Sequence, residues 1–194
     1  CFSVPALRMH LEQKFSSILN FEHTYLCTEE FIEWSLKNQG FVLLDKTVHD
    51  IDHSIFYVFE KGEVKELTDY SNSCYSLYKR LFKEYIDYNT NFINTVNDQI
   101  KNTESAVFLF GGHFISLFTI AFGLDISKIT CIIDNSKIKE SKRLYGTNLI
   151  VNNPRILKDL DSPIVILRAG VFNEEIKKDI LININSTTKF LELI

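Results

Sequence analysis

Few residues in this chain have the type and spacing to do chemistry, and they fall in two groups. The first is Glu22-His23, a histidine beside a carboxylate in a polar stretch leading to a helix. Such a histidine can act as a general base if it lies against a substrate; it can equally satisfy backbone groups or face solvent. The second group is Gly111-Gly112-His113, Asp134-Asn135, Lys137, Lys139, Tyr145-Gly146 and Arg168-Ala169-Gly170. A glycine pair between an apolar run and a helix lets the backbone turn tightly and approach a ligand. The helix opening near His113 would aim its N–H groups at that turn, which suits an anion. Asp134 or Asn135 can hydrogen-bond a ribose or sugar hydroxyl, and Arg168 can pair with phosphate. The same glycines could simply make a turn, Asp134 could cap it, and the lysines could be solvated. FGGHF is not GxGxxG, so a complete dinucleotide fingerprint is missing.

These groups need strand ends to hold them. Ala106 to Phe110 is an apolar run without alternation, as in a strand buried on both faces. A helix from about His113 and a second strand, Ile129 to Ile133, complete a βαβ unit ending at Asp134. Asn148 to Val151, Pro163 to Leu167 and Lys189 to Leu193 read as three further strands. A short helix starts at Pro154, and another runs from an Asn173 cap through Ile182. Strands alternating with helices predict a Rossmann-like α/β domain with a parallel five-stranded sheet, order 3-2-1-4-5. Its ligands would sit outside the carboxyl ends of the strands, where the second group converges.

The rest of the chain divides in two. Residues 1–62 read as a strand end at Phe2-Ser3-Val4, a helix from Ala6 to Phe15, a loop through Tyr25, and a helix Glu29 to Asn38 capped by Thr28. Phe31, Trp34, Ser35 and Leu36 form that helix's expected inner face, and Gln39-Gly40 end it. An antiparallel pair follows, Phe41 to Val48 and Ser54 to Glu60, joined by the polar turn from His49 to His53. Residues 63–102 carry one long amphipathic helix, Ser71 to about Lys101, with Leu77, Leu81, Tyr85, Tyr88, Phe92 and Val96 on its stripe. The expectation is a linker helix packed as a strut between domains. A homodimer through this stripe stays open, although the stripe is aromatic and not an a/d heptad. The domains expected are thus 1–62, 63–102 and 103–194.

Composition sets the outer limits. The 194 residues carry 45% hydrophobic and 24% charged residues and a net charge of −4. That suits a globular protein and argues against nucleic-acid binding by bulk electrostatics. Cys1, Cys27, Cys74 and Cys131 form no CxxC pair, and His10, His49 and His53 have no metal-ligand spacing, so no metal is expected. Free cysteines fit a reducing, cytoplasmic setting. No apolar run reaches the ~18 residues of a membrane span. The first residue is Cys, from which the chain is expected to be a piece of a longer protein.

Three pieces of the last segment, FGGHFISLFTIAFGL, IDNSKIKESKRLYGT and SPIVILRAGVFNEEI, resemble in order and spacing the C-terminal domain of bacterial sugar C-methyltransferases. FSVP resembles the end of the fifth strand of that family's S-adenosylmethionine-dependent domain. NFEHTYLCTEEFIEWSLKNQGF resembles its Glu-His loop and following helix, and HSIFYVFEK its last strand. The resemblance spans nearly the whole chain. It departs at Asn20, where a tyrosine is common, at Gly112-His113-Phe114, where a small residue and a lysine are, and at Tyr145, which replaces a proline.

The resemblance implies that residues 1–62 are the α-β-β end of a class I methyltransferase fold. It implies a surface-polysaccharide or antibiotic-sugar enzyme acting on a nucleotide-linked keto-sugar, with S-adenosylmethionine as cofactor. His23 would be the base that removes the proton alpha to the ketone, oriented by Glu22. Gly111, Gly112, His113, Asp134, Asn135, Lys139 and Arg168 would hold the nucleotide-sugar. The glycine-rich loop for S-adenosylmethionine precedes the fifth strand in that fold, so this chain alone is expected neither to bind it nor to turn over. The alternative is a non-catalytic Rossmann-like domain for nucleotide-sugar binding or assembly.

Overall fold

The computed structural model describes residues 1–15, 25–49, 54–63, 70 and 74–192. They form two compact units, 1–87 and 88–194.

The first unit holds β1 (Phe2–Pro5), α1 (Leu7–Glu12), α2 (Glu29–Asn38), β2 (Phe41–His49), β3 (Ser54–Lys61) and the start of α3 (Tyr75–Ile100). Its sheet is antiparallel, in the order β1-β3-β2, so the last strand lies between the other two. The Thr28 hydroxyl accepts from the Phe31 N–H at 3.1 Å and caps α2, as expected. Gly40, at φ +80°, ends the helix. The inner face of α2 is not the one its aromatics suggest: Ile32 is buried and Leu36 packs beside it against Ala6, Ile55 and Tyr57. Phe31 is exposed, and it and Trp34 contact the Tyr70 ring instead.

The second unit contains β4 (Val107–Phe110), α4 (Phe114–Ala121), β5 (Ile129–Ile133), β6 (Val151–Asn152), β7 (Ile164–Ile166), α5 (Asn173–Asp179) and β8 (Lys189–Leu191). Its sheet is all parallel, in the order β6-β5-β4-β7-β8. In chain order this is 3-2-1-4-5, the arrangement expected of a Rossmann-like fold. Alternate residues of each strand face opposite ways, and both faces are covered. Val107, Leu109 and Ile132 pack with Phe92, Ile93, Val96 and Ile100 of α3. Phe108, Phe110, Cys131 and Ile133 pack with Leu157 and Ile180 on the other side. Neither side of β4 is left for water, which is why its sequence shows no alternation.

Three expectations shift. The division into units falls inside α3, not at its ends. Its buried positions include Tyr78, Leu81, Tyr85, Asn89, Phe92 and Val96, whereas Leu77 and Tyr88 are only half-buried. Asn173 does not cap α5: its side chain accepts from the Ala169 N–H at 2.7 Å and closes the preceding turn. Among the described residues, no helix is long and apolar enough to cross a membrane.

Candidate functional site at the carboxyl edge of the parallel sheet

The site begins where β4 runs out. Gly111 has φ +102°, a conformation other residues adopt only under strain, and its N–H donates to the Ile133 carbonyl at 2.7 Å. The turn is thereby tied to β5. Gly112 has an ordinary φ but no room: a Cβ there would lie 2.8 and 3.0 Å from the two γ-carbons of Val151. The second glycine is thus needed to admit a core side chain. Ser116, buried on α4, bonds back through its hydroxyl to the carbonyls of Gly111 and Phe110. His113 is the exposed N-cap residue of α4, and its side chain makes no cap hydrogen bond.

Asp134 follows β5 and is buried. Its Oδ2 accepts from the Gly112 N–H at 2.7 Å and from Lys139 Nζ at 2.9 Å. Its Oδ1 accepts from the Ser136 N–H at 2.8 Å. Burial alone would raise the pKa of this carboxyl; the bonds from Lys139, Ser136 and Gly112 outweigh it and hold the group below the usual carboxylate range. Three of the sequence-predicted residues, Gly112, Asp134 and Lys139, are therefore brought into direct contact. Asn135 is exposed on the same loop, as is Lys137. The loop returns to the sheet as a small hairpin, with Arg143 bridging Ile150 and Gly146 at φ +75° in its turn.

Arg168, just past β7, is held on the side facing α3 and α4. Its guanidinium lies 5.1 Å from the Phe92 ring centroid. It donates to Thr119 Oγ1 at 3.3 Å and to Asn89 Oδ1. Two of the N–H groups expected to meet phosphate thus bond within the protein. Asn89 and Thr119 are fully buried, and sequence reasoning passed over both. The available signal was a polar residue on the apolar stripe of α3, in step with Tyr85 and Phe92.

Glu22 and His23 lie outside the described residues, as do Asn20 and the turn residues Asp50 to His53. The first unit has a groove of about 510 Å³ lined in part by Trp34, Phe41, Leu43, Phe59, Glu30 and Glu33. None of the predicted site residues is among those named. Among the described residues, no three His, Cys, Asp or Glu side chains are grouped to hold a metal.

Compared with known proteins, the chain matches no family model and no curated protein.

Proposed function

We propose that this chain is the C-terminal portion of an S-adenosylmethionine-dependent C-methyltransferase acting on a nucleotide-linked keto-sugar. The observation that carries the reading is a juxtaposition. The three pieces bearing the resemblance carry Gly111-Gly112, Asp134-Asn135 and Arg168-Ala169, which follow three adjacent strands, β4, β5 and β7, at one sheet edge. The sequence distance between them is large, and a parallel sheet of this order is what gathers them. Support from the first unit is the direct antiparallel pairing of FSVP with the strand from HSIFYVFEK.

In this reading the second unit holds the nucleotide-sugar. His23 removes the proton alpha to the sugar ketone, and Glu22 orients the imidazole. The residues of this chain do not fit S-adenosylmethionine: the sequence carries no acidic-x-Gly-x-Gly loop. The test is proton exchange in the full native protein, which needs no methyl donor. A nucleotide-linked keto-sugar in D2O is expected to lose its α-proton NMR signal with the wild type and to keep it with His23→Asn. Equal exchange rates in the two proteins, or none in the wild type, would overturn the proposal.

A further inference from the structure

Phosphate-binding strand–turn–helix units leave the N–H groups of the turn open to an anion. Here the turn already has one. Asp134 Oδ2 takes the Gly112 N–H at 2.7 Å and the Lys139 ammonium at 2.9 Å, while Oδ1 takes the Ser136 N–H. The carboxylate is only 10% exposed, so water does little to screen it. It also lies 3.5 Å from where a Cβ on Gly112 would be, against the turn itself. A phosphate brought to these N–H groups would displace the carboxylate or meet it at close range.

We propose that Asp134 is a built-in anion that occupies the Gly111-Gly112 turn and selects against phosphate, so that a ligand meets this turn with an uncharged, hydroxyl-bearing part. That a ligand comes to this edge rests on the function proposed above. The rejection of phosphate does not, because inorganic pyrophosphate alone can probe it. The charged part of a nucleotide-sugar would then lie away from the turn, on the side of the exposed Lys137 in the loop after β5.

The experiment is an amide NMR titration of the chain with inorganic pyrophosphate and, separately, with uridine. In the wild type, pyrophosphate is expected to leave the Gly111, Gly112 and His113 amides unmoved while uridine shifts them. In Asp134→Asn, whose amide oxygen can still accept from Gly112, pyrophosphate is expected to bind at the turn at least about tenfold more tightly than in the wild type. Saturable pyrophosphate shifts at the turn of the wild type would overturn the inference. So would a folded Asp134→Asn variant with no gain. If that variant does not fold, the wild type decides alone by whether pyrophosphate or uridine moves the turn. A pyrophosphate gain in Asp134→Asn, with no shift from uridine in the wild type, upholds the rejection of phosphate but removes the ligand-site reading.

Discussion

Replacing Gly112 with alanine tests the account of the turn most directly. The new Cβ would stand 2.8 Å from one methyl of Val151 and 3.0 Å from the other, both well inside van der Waals contact. Val151 cannot step aside, because it is 2% exposed and packed in the cluster that includes Leu144, Val107 and Ile132. Overpacking of this kind costs about 1–3 kcal/mol. If the turn moves instead, the Gly112 N–H leaves the Asp134 carboxylate, a loss of roughly 1.5–3 kcal/mol. Alanine at an ordinary φ returns only ~0.4–1 kcal/mol by restricting the unfolded chain. The expected net effect is a destabilisation of about 0.5–2.5 kcal/mol. Val151→Ala makes room for the new methyl, so the double variant should be more stable than the sum of the singles by ~1–2 kcal/mol. The readout has to come from the second unit. The single tryptophan, Trp34, belongs to the first, so hydrogen-exchange protection of the β4 amides along a urea series is the suitable measurement. An alanine variant as stable as the wild type, or strictly additive singles, would refute the steric argument.

Further outcomes follow from other features of the structure. Asp134→Asn should cost about 1–3 kcal/mol at neutral pH. Because the folded carboxyl titrates below its ordinary range, its stabilisation is full above about pH 4 and is lost as pH falls through the folded value. The gap between wild type and variant in urea unfolding should therefore close in acid, and a pH-independent gap would contradict it. Asn89→Ala removes a fully buried acceptor of the Arg168 guanidinium and should destabilise the second unit by ~2–3 kcal/mol, read by the same exchange experiment. Thr188 is buried with no hydrogen-bond partner for its hydroxyl among the described residues, so Thr188→Val should be neutral or stabilising by up to ~1 kcal/mol in thermal unfolding. Under native conditions Cys1, exposed, should react with a thiol reagent well before Cys131, whose thiol pKa burial raises; mass spectrometry of the labelled peptides gives the order.

The parallel sheet was legible because β4, β5 and β7 are short apolar runs with Gly111, Asp134 or Pro163 at one end. Ile129–Ile133 is a strand with the bounds expected, and the order 3-2-1-4-5 followed from alternation with helices. Edges were harder to read. The third strand was expected at Asn148 to Val151 but is Val151–Asn152; Leu149 and Ile150 pair with Leu144 and Arg143 in the small hairpin. The pairing of β1 with β3 could not be read from local pattern, since it joins segments some fifty residues apart. The positions of Gly111-Gly112, Asp134 and Arg168 after strands were readable from the apolar runs before them, but the partners each side chain would choose were not. Asp134 and Arg168 read from sequence as groups turned toward a ligand, and both hydrogen-bond within the protein. Burial decides this: a charged group lowered into the protein must find donors or acceptors there, and which ones depends on packing that spacing does not encode. The inner face of α2 failed for a related reason, as Phe31 and Trp34 found an aromatic neighbour in Tyr70 instead of the sheet.

The position of the division inside α3 has a practical bearing on dissection. The apparent domain start, near Thr103, lies after the helix. A fragment cut there would keep every strand of the parallel sheet but lose Phe92, Ile93, Val96 and Ile100, which cover one of its faces. At roughly 1.5–3 kcal/mol for each buried side chain, that loss is comparable to the whole stability of a small domain. Such a fragment should be recovered aggregated, whereas one beginning near Tyr88 should be soluble and folded. The smallest autonomous piece is set by the helix that roofs the sheet, and the limits of the sheet itself mark it too short.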